Sequence, residues 1–182
     1  MKRLLATIIV TAAGMALTNG AYAATSAAKA AYNASKEQAS ADYKIAREKC
    51  NALAGNGKDV CTAEAEAAQT RTKGEAQARY ENTPRVIASV RKDIAAADYD
   101  VAKAKCGSKT GNAKDVCVKQ AKSVKVATVE NAVADKKIVN ALVDAQEDKQ
   151  AAEYKVALEK CDGQSGAAKT LCVTNAKSSF GK

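Results

Sequence analysis

The sequence predicts an all-α protein of antiparallel helical hairpins in about three internal repeats, each stapled by a disulfide across its turn, with one long shared helix. Three observations carry this. The first is composition: alanine, lysine, glutamate and glutamine dominate, proline occurs once and aromatic residues make up 4% of the chain, so helix formers prevail. The second is repetition. The stretch YKIAREKCNALAGNGKDVC, from Tyr43, returns as YDVAKAKCGSKTGNAKDVC from Tyr99 and as YKVALEKCDGQSGAAKTLC from Tyr154, offsets of 56 and 55 residues. The third is that each copy places a Gly/Asn/Ser-rich stretch between its two cysteines, which reads as helix, turn, helix.

Taken in chain order, residues 1–23 read as an export signal: Lys2 and Arg3, an apolar run from Leu4 to Leu17, and a small-x-small cleavage site at Ala21-Tyr22-Ala23. The mature chain then begins at Ala24 with 27 basic and 20 acidic residues, a net +7. The apolar run falls short of the ~20 residues a membrane span needs. No cysteine near the cleavage site offers a lipid attachment point, the first being Cys50. The expected location is therefore the bacterial periplasm.

Repeat 1 spans 24–82, repeat 2 spans 83–140, and a shorter repeat 3 spans 141–182. The turns fall at Ala54–Gly57, Gly107–Asn112 and Asp162–Gly166. In all three copies Gly55, Gly111 and Gly166 align, as do Lys58, Lys114 and Lys169, and each glycine is expected to end a helix in left-handed backbone. Between the first two repeats Thr83 supplies an N-cap and Pro84 a first helical residue. No breaker interrupts Ala113 to Lys160, which predicts a continuous helix on the order of 70 Å long.

Six cysteines in an exported chain point to disulfides. Each pair brackets one tight turn, and antiparallel helices meeting there bring the Cα atoms within the ~5.5–6 Å a disulfide needs. The expected pairs are Cys50–Cys61, Cys106–Cys117 and Cys161–Cys172, each worth about 2–3 kcal/mol in the chain-entropy model. Metal or redox use is the rival reading. Zinc sites favour Cys-x2-Cys with histidine, and thiol exchangers use Cys-x-x-Cys; this chain contains neither spacing and no histidine.

Tyr43, Tyr99 and Tyr154 each precede the first cysteine by seven residues, two helical turns along one face. They read as packing anchors, with a ligand platform as the alternative. Lysines alternate with acids at helical spacing, the mark of a solvated face. Nucleic-acid recognition asks for a one-sided basic patch with aromatic stacking, so diffuse attraction to anionic envelope components is the partner reading that remains, alongside another periplasmic protein. Without histidine or a glycine-rich phosphate loop, no catalytic constellation forms, and neither an enzyme nor a cofactor is expected.

The Tyr-x(6)-Cys-x(10)-Cys units set among Ala, Lys, Asp and Glu give the whole mature chain a resemblance to small uncharacterised Gram-negative exported proteins labelled TolA-like cell-envelope proteins. The resemblance implies a periplasmic helical protein and carries over no active-site residue. The function expected is that of a non-enzymatic structural or interaction protein, linked to envelope integrity or stress. The alternative is a periplasmic ligand- or metal-binding protein using the repeated Tyr and Cys positions.

Overall fold

The computed structural model describes residues 20–182, with side-chain surroundings from residue 25 onward. The expected export signal, residues 1–23, lies outside the described residues apart from the backbone of its last four, with which the first helix opens. Five helices follow in order: α1 (Gly20–Cys50), α2 (Gly55–Glu81), α3 (Pro84–Cys106), α4 (Gly111–Asp162) and α5 (Gly166–Ser179). No strand occurs among the described residues. The all-α fold of stapled hairpins expected from the repeat is what the chain forms.

α4 is the long shared helix. Its 52 residues span about 78 Å, and the division between residues 140 and 141 falls inside it. The Thr83-Pro84 restart also behaves as its residue types dictate. Thr83 is extended, its Oγ1 accepts a hydrogen bond from the Val86 N–H at 3.2 Å, and Pro84 opens α3, a position where proline has no hydrogen bond to lose.

Among the described residues each helix packs only on its neighbours in sequence: α1 on α2, α2 on α3, α3 on α4 and α4 on α5. The first four helices therefore run up and down in a single layer. The tips of the first two hairpins lie side by side. Asn56, at the start of α2, sits against Gly107, at the end of α3, so closely that a β-carbon on Gly107 would overlap Asn56 Oδ1. The third tip lies at the far end of α4, about 66 Å from the second counting from Cys117 to Cys161.

A single layer has no common centre, and the buried side chains show it. They are eight alanines, three cysteines and Val90, and the largest fully buried ones are Cys50, Cys106 and Cys161. Alanine seams bring helices close together without contributing much apolar area. Ala88 on α3 and Ala132 on α4, 5% and 2% exposed, line one such seam. Gly74 serves the α2/α3 seam similarly, since a β-carbon there would come within 2.8 Å of Val90 Cγ1. Ion pairs cross the seams at their margins: Arg71 grips both Asp98 oxygens at 2.8 Å, Lys105 meets Glu64 at 2.8 Å and Arg91 meets Asp135. These pairs are exposed, and such pairs typically contribute ~0.2–1 kcal/mol, so their main effect is to set register.

Gly55, Gly111 and Gly166 correct one expectation. They do not end the first helix of each hairpin; they open the second, with φ of 56°, 53° and 62°. The residue before each, Ala54, Thr110 or Ser165, is extended. After α1, short turn hydrogen bonds close the chain instead, as from Leu53 N–H to the Cys50 carbonyl at 3.1 Å. The left-handed residue then redirects the backbone into the returning helix. Because an L-residue there costs about 1–2 kcal/mol, Gly55→Ala, Gly111→Ala and Gly166→Ala should each lower stability by that order. Gly57→Ala is the control: Gly57 lies inside α2 with open space around it and no positive φ, so alanine should stabilise by up to about 1 kcal/mol. Urea unfolding midpoints of the four variants test both signs.

Candidate functional site

The repeated hairpin tip is the unit on which the sequence concentrates its unusual residues. In each tip the first cysteine ends or nearly ends a helix, and the second is the seventh residue of the next. Disulfides join Cys50 to Cys61, Cys106 to Cys117 and Cys161 to Cys172, with Cα–Cα separations of 5.5, 5.8 and 5.6 Å. No free cysteine remains among the described residues. With every cysteine sulfur in a disulfide, no thiolate is left as a metal ligand or nucleophile. Among the described residues no group of three His, Cys, Asp or Glu side chains converges on a point where a metal ion would sit.

The three repeated tyrosines are half-buried and each leans across its own seam. Tyr43 donates from its hydroxyl to Glu66 Oε1 at 3.4 Å, while the Arg47 guanidinium lies 5.9 Å from its ring centre and 3.9 Å from the same carboxylate. Tyr99 takes the Lys125 ammonium over its ring at 5.1 Å. Tyr154 packs on Phe180 with ring centres 5.6 Å apart and planes tilted by 52°. Lys125 and Phe180 occupy equivalent positions, eight residues past the second cysteine of their hairpins; Gln69 holds that place in the first. That register thus serves a cation in one hairpin and an aromatic ring in another, while Tyr43 of the first reaches Glu66 instead, and such variety fits a packing position better than a repeated ligand geometry.

A fourth aromatic contact lies outside the repeat. Tyr32 of α1 stacks on Tyr80 of α2, with centres 4.9 Å apart and planes within 5°, and Lys36 lies 4.9 Å from the Tyr32 ring centre. This pair closes the open end of the first hairpin, opposite its disulfide. Sequence reasoning passed over it because Tyr32 and Tyr80 have no counterparts in the other units. Their pairing follows once the Cys50–Cys61 register is laid out along both helices: Tyr32 stands 18 residues before Cys50 and Tyr80 stands 19 after Cys61.

The tip lysines Lys58, Lys114 and Lys169 are exposed in the first turns of α2, α4 and α5. No acidic residue occupies those first turns, and no side chain caps them. A cation there opposes the helix dipole rather than complementing it. Lys169 is compensated by Asp162 at 2.8 Å across its tip.

The hollows on the surface are shallow. One, of about 280 Å³, lies where α3 begins, between Ile87, Ala88 and Arg91 of α3 and Ala132, Asp135 and Val139 of α4. Among the described residues no polar or charged residue is buried. No helix of the described residues is long and apolar enough to cross a membrane. Three disulfides in one chain fit an oxidising compartment. Compared with protein families, curated proteins and solved structures, the chain gives no match.

Proposed function

We propose that the protein is a non-enzymatic structural or interaction protein of the periplasm, of the kind its resemblance to TolA-like cell-envelope proteins implies. The observation that supports this most is the placement of side chains. Every ionisable group among the described residues is at least partly exposed, and stability is drawn from staples rather than from an enclosed core. Such a frame offers surface and length, not a pocket. A metal- or ligand-binding role for the repeated positions has less support, because the cysteines are spent on disulfides and the tyrosines on seams.

Contact with the envelope is expected to be electrostatic and diffuse. The surplus of lysines is spread over the helices, and exposed charges are screened beyond ~8 Å at physiological ionic strength. Binding to purified envelope should then weaken steadily with salt. Replacing Lys58, Lys114 and Lys169 together with glutamine should cost no more than replacing Lys92, Lys103 and Lys122. Co-sedimentation across a salt series, after osmotic-shock fractionation has located the mature protein, provides the measurement. A salt-resistant loss confined to the tip variant would replace the diffuse reading with a repeated recognition site.

A further inference from the structure

From Lys137 to Glu153 every residue of α4 is exposed, on all sides of the helix. Its partners stop short of this stretch at either end. α3 begins at Pro84, level with Val139, and the chain after α5 reaches α4 with Phe180 and Lys182, level with Glu147 to Ala151. Among the described residues no other helix packs on α4. Residues 140–150 are therefore a bare helix about 16 Å long, with the first two hairpins on one side and the third on the other. We infer that this stretch is a hinge, which opens locally and lets the third hairpin reorient as a unit against the first two.

Position in the repeat is the first reason. The two connections between hairpins are nearly equal in length, 45 positions from Cys61 to Cys106 and 44 from Cys117 to Cys161. In the first, the chain turns at Asn82 and Thr83, 21 and 22 positions past Cys61. The same offsets from Cys117 give Ile138 and Val139, where the bare stretch begins. The second connection thus keeps as unsupported helix the place where the first one bends.

Local energetics is the second. In the packed parts of α4, opening a turn also breaks a seam; here it breaks only the helix's own hydrogen bonds. Among the described residues no ion pair involves residues 140–150. Asp144 instead faces two like charges, Glu147 and Asp148, at its i+3 and i+4 positions. Asn140 and Val143 are weaker helix formers than the alanines that line the seams. With no glycine or proline from Ala113 to Asp162, the helix bends sharply only where its hydrogen bonds part, and they part most readily where nothing else holds them.

The flanks keep the opening cheap. Interrupting a helix ordinarily costs the nucleation of a second one, but both pieces of α4 are already held. α3 holds the first, and the Cys161–Cys172 bond and the Tyr154–Phe180 contact hold the second. Opened on the microsecond-to-millisecond scale of hinge motions, the chain has two ends, the paired first tips and the distant third, that take up positions independently.

Native-state amide hydrogen exchange and limited proteolysis of the oxidised mature chain test the inference together. Residues 141–150 should exchange at least about tenfold faster than residues 121–133, which lie along α3. Within α4 a glutamate-specific protease should cut first at Glu147, ahead of Glu130 and Glu159, whose side chains are also exposed but whose stretches of helix are packed. The triple variant Asn140→Glu/Val143→Ala/Asp144→Lys sets opposite charges four residues apart and relieves the crowding of acids beside Asp148. It should slow both exchange and cleavage at the bare stretch at least about threefold. Protection of residues 141–150 equal to that of 121–133 would overturn the proposal. So would a first cut within α4 at Glu130 or Glu159, or exchange that the triple variant leaves unmoved.

Discussion

Reducing the three disulfides is expected to lower the thermal midpoint substantially and to broaden the transition, while leaving fluctuating helix behind. Each staple closes a loop of about 12 residues and contributes about 2–3 kcal/mol in the chain-entropy model, roughly 8 for the three. That sum rivals the entire 5–15 kcal/mol by which a typical domain is stable. Here it is set against buried side chains that are almost all alanine, each bringing little apolar area. Helix propensity survives reduction, because alanine, lysine and glutamate favour helix locally. Circular dichroism melts with and without reductant, on a chain whose six cysteines have been confirmed as paired, provide the comparison. An unchanged midpoint would mean that the alanine seams hold the helices unaided.

Removing one staple should act on one hairpin only, and the third is where the effect is largest. α5 has 14 residues, near the ~12–15 below which an isolated helix is marginal in water. Among the described residues it touches α4 alone. Its one buried side chain is Ala176, and Leu171 is 63% exposed. Besides the Cys161–Cys172 bond, it is held by the Tyr154–Phe180 contact and the Lys169–Asp162 pair, interactions worth ~0.5–1.5 and ~0.2–1 kcal/mol respectively. Replacing Cys161 and Cys172 with serine should therefore leave α5 unfolded most of the time, with α1 to α3 intact.

Much of this architecture is legible in the residues because its determinants are local. Cysteines eleven positions apart around a glycine-bearing turn specify a stapled hairpin without reference to the rest of the chain. Thr83-Pro84 marks a helix restart, and a breaker-free run marks α4. The glycines show where local reading slips. Gly55, Gly111 and Gly166 do adopt left-handed backbone, but as the first residue of the next helix, four or five residues past the previous helix end, because the preceding residue is extended and the turn has already closed on its own backbone hydrogen bonds.

The long-range features are not legible in the same way. That Tyr99 meets Lys125 while Tyr154 meets Phe180 depends on register, which becomes visible only once each disulfide fixes the alignment of its two helices. The close approach of Gly74 to Val90, and of Asn56 to Gly107, depends on how neighbouring hairpins lie side by side. No periodicity within either segment encodes that. The single layer itself is a property of packing: alanine faces fit closely against one neighbour but supply too little apolar surface to draw in a second layer.

The central claim is that the chain is a string of separately stapled hairpins, each helix packed only on its neighbours in sequence, with no common core among the described residues. Amide hydrogen exchange on the Cys161→Ser/Cys172→Ser variant, compared residue by residue with the oxidised wild type, tests it most directly. Protection should be lost across Gly166–Ser179 and on the stretch of α4 that α5 covers, and should stay unchanged in α1, α2, α3 and the first half of α4, since local opening is confined to units that pack together. A loss of protection spread evenly over all five helices would show a single cooperative core and contradict the account.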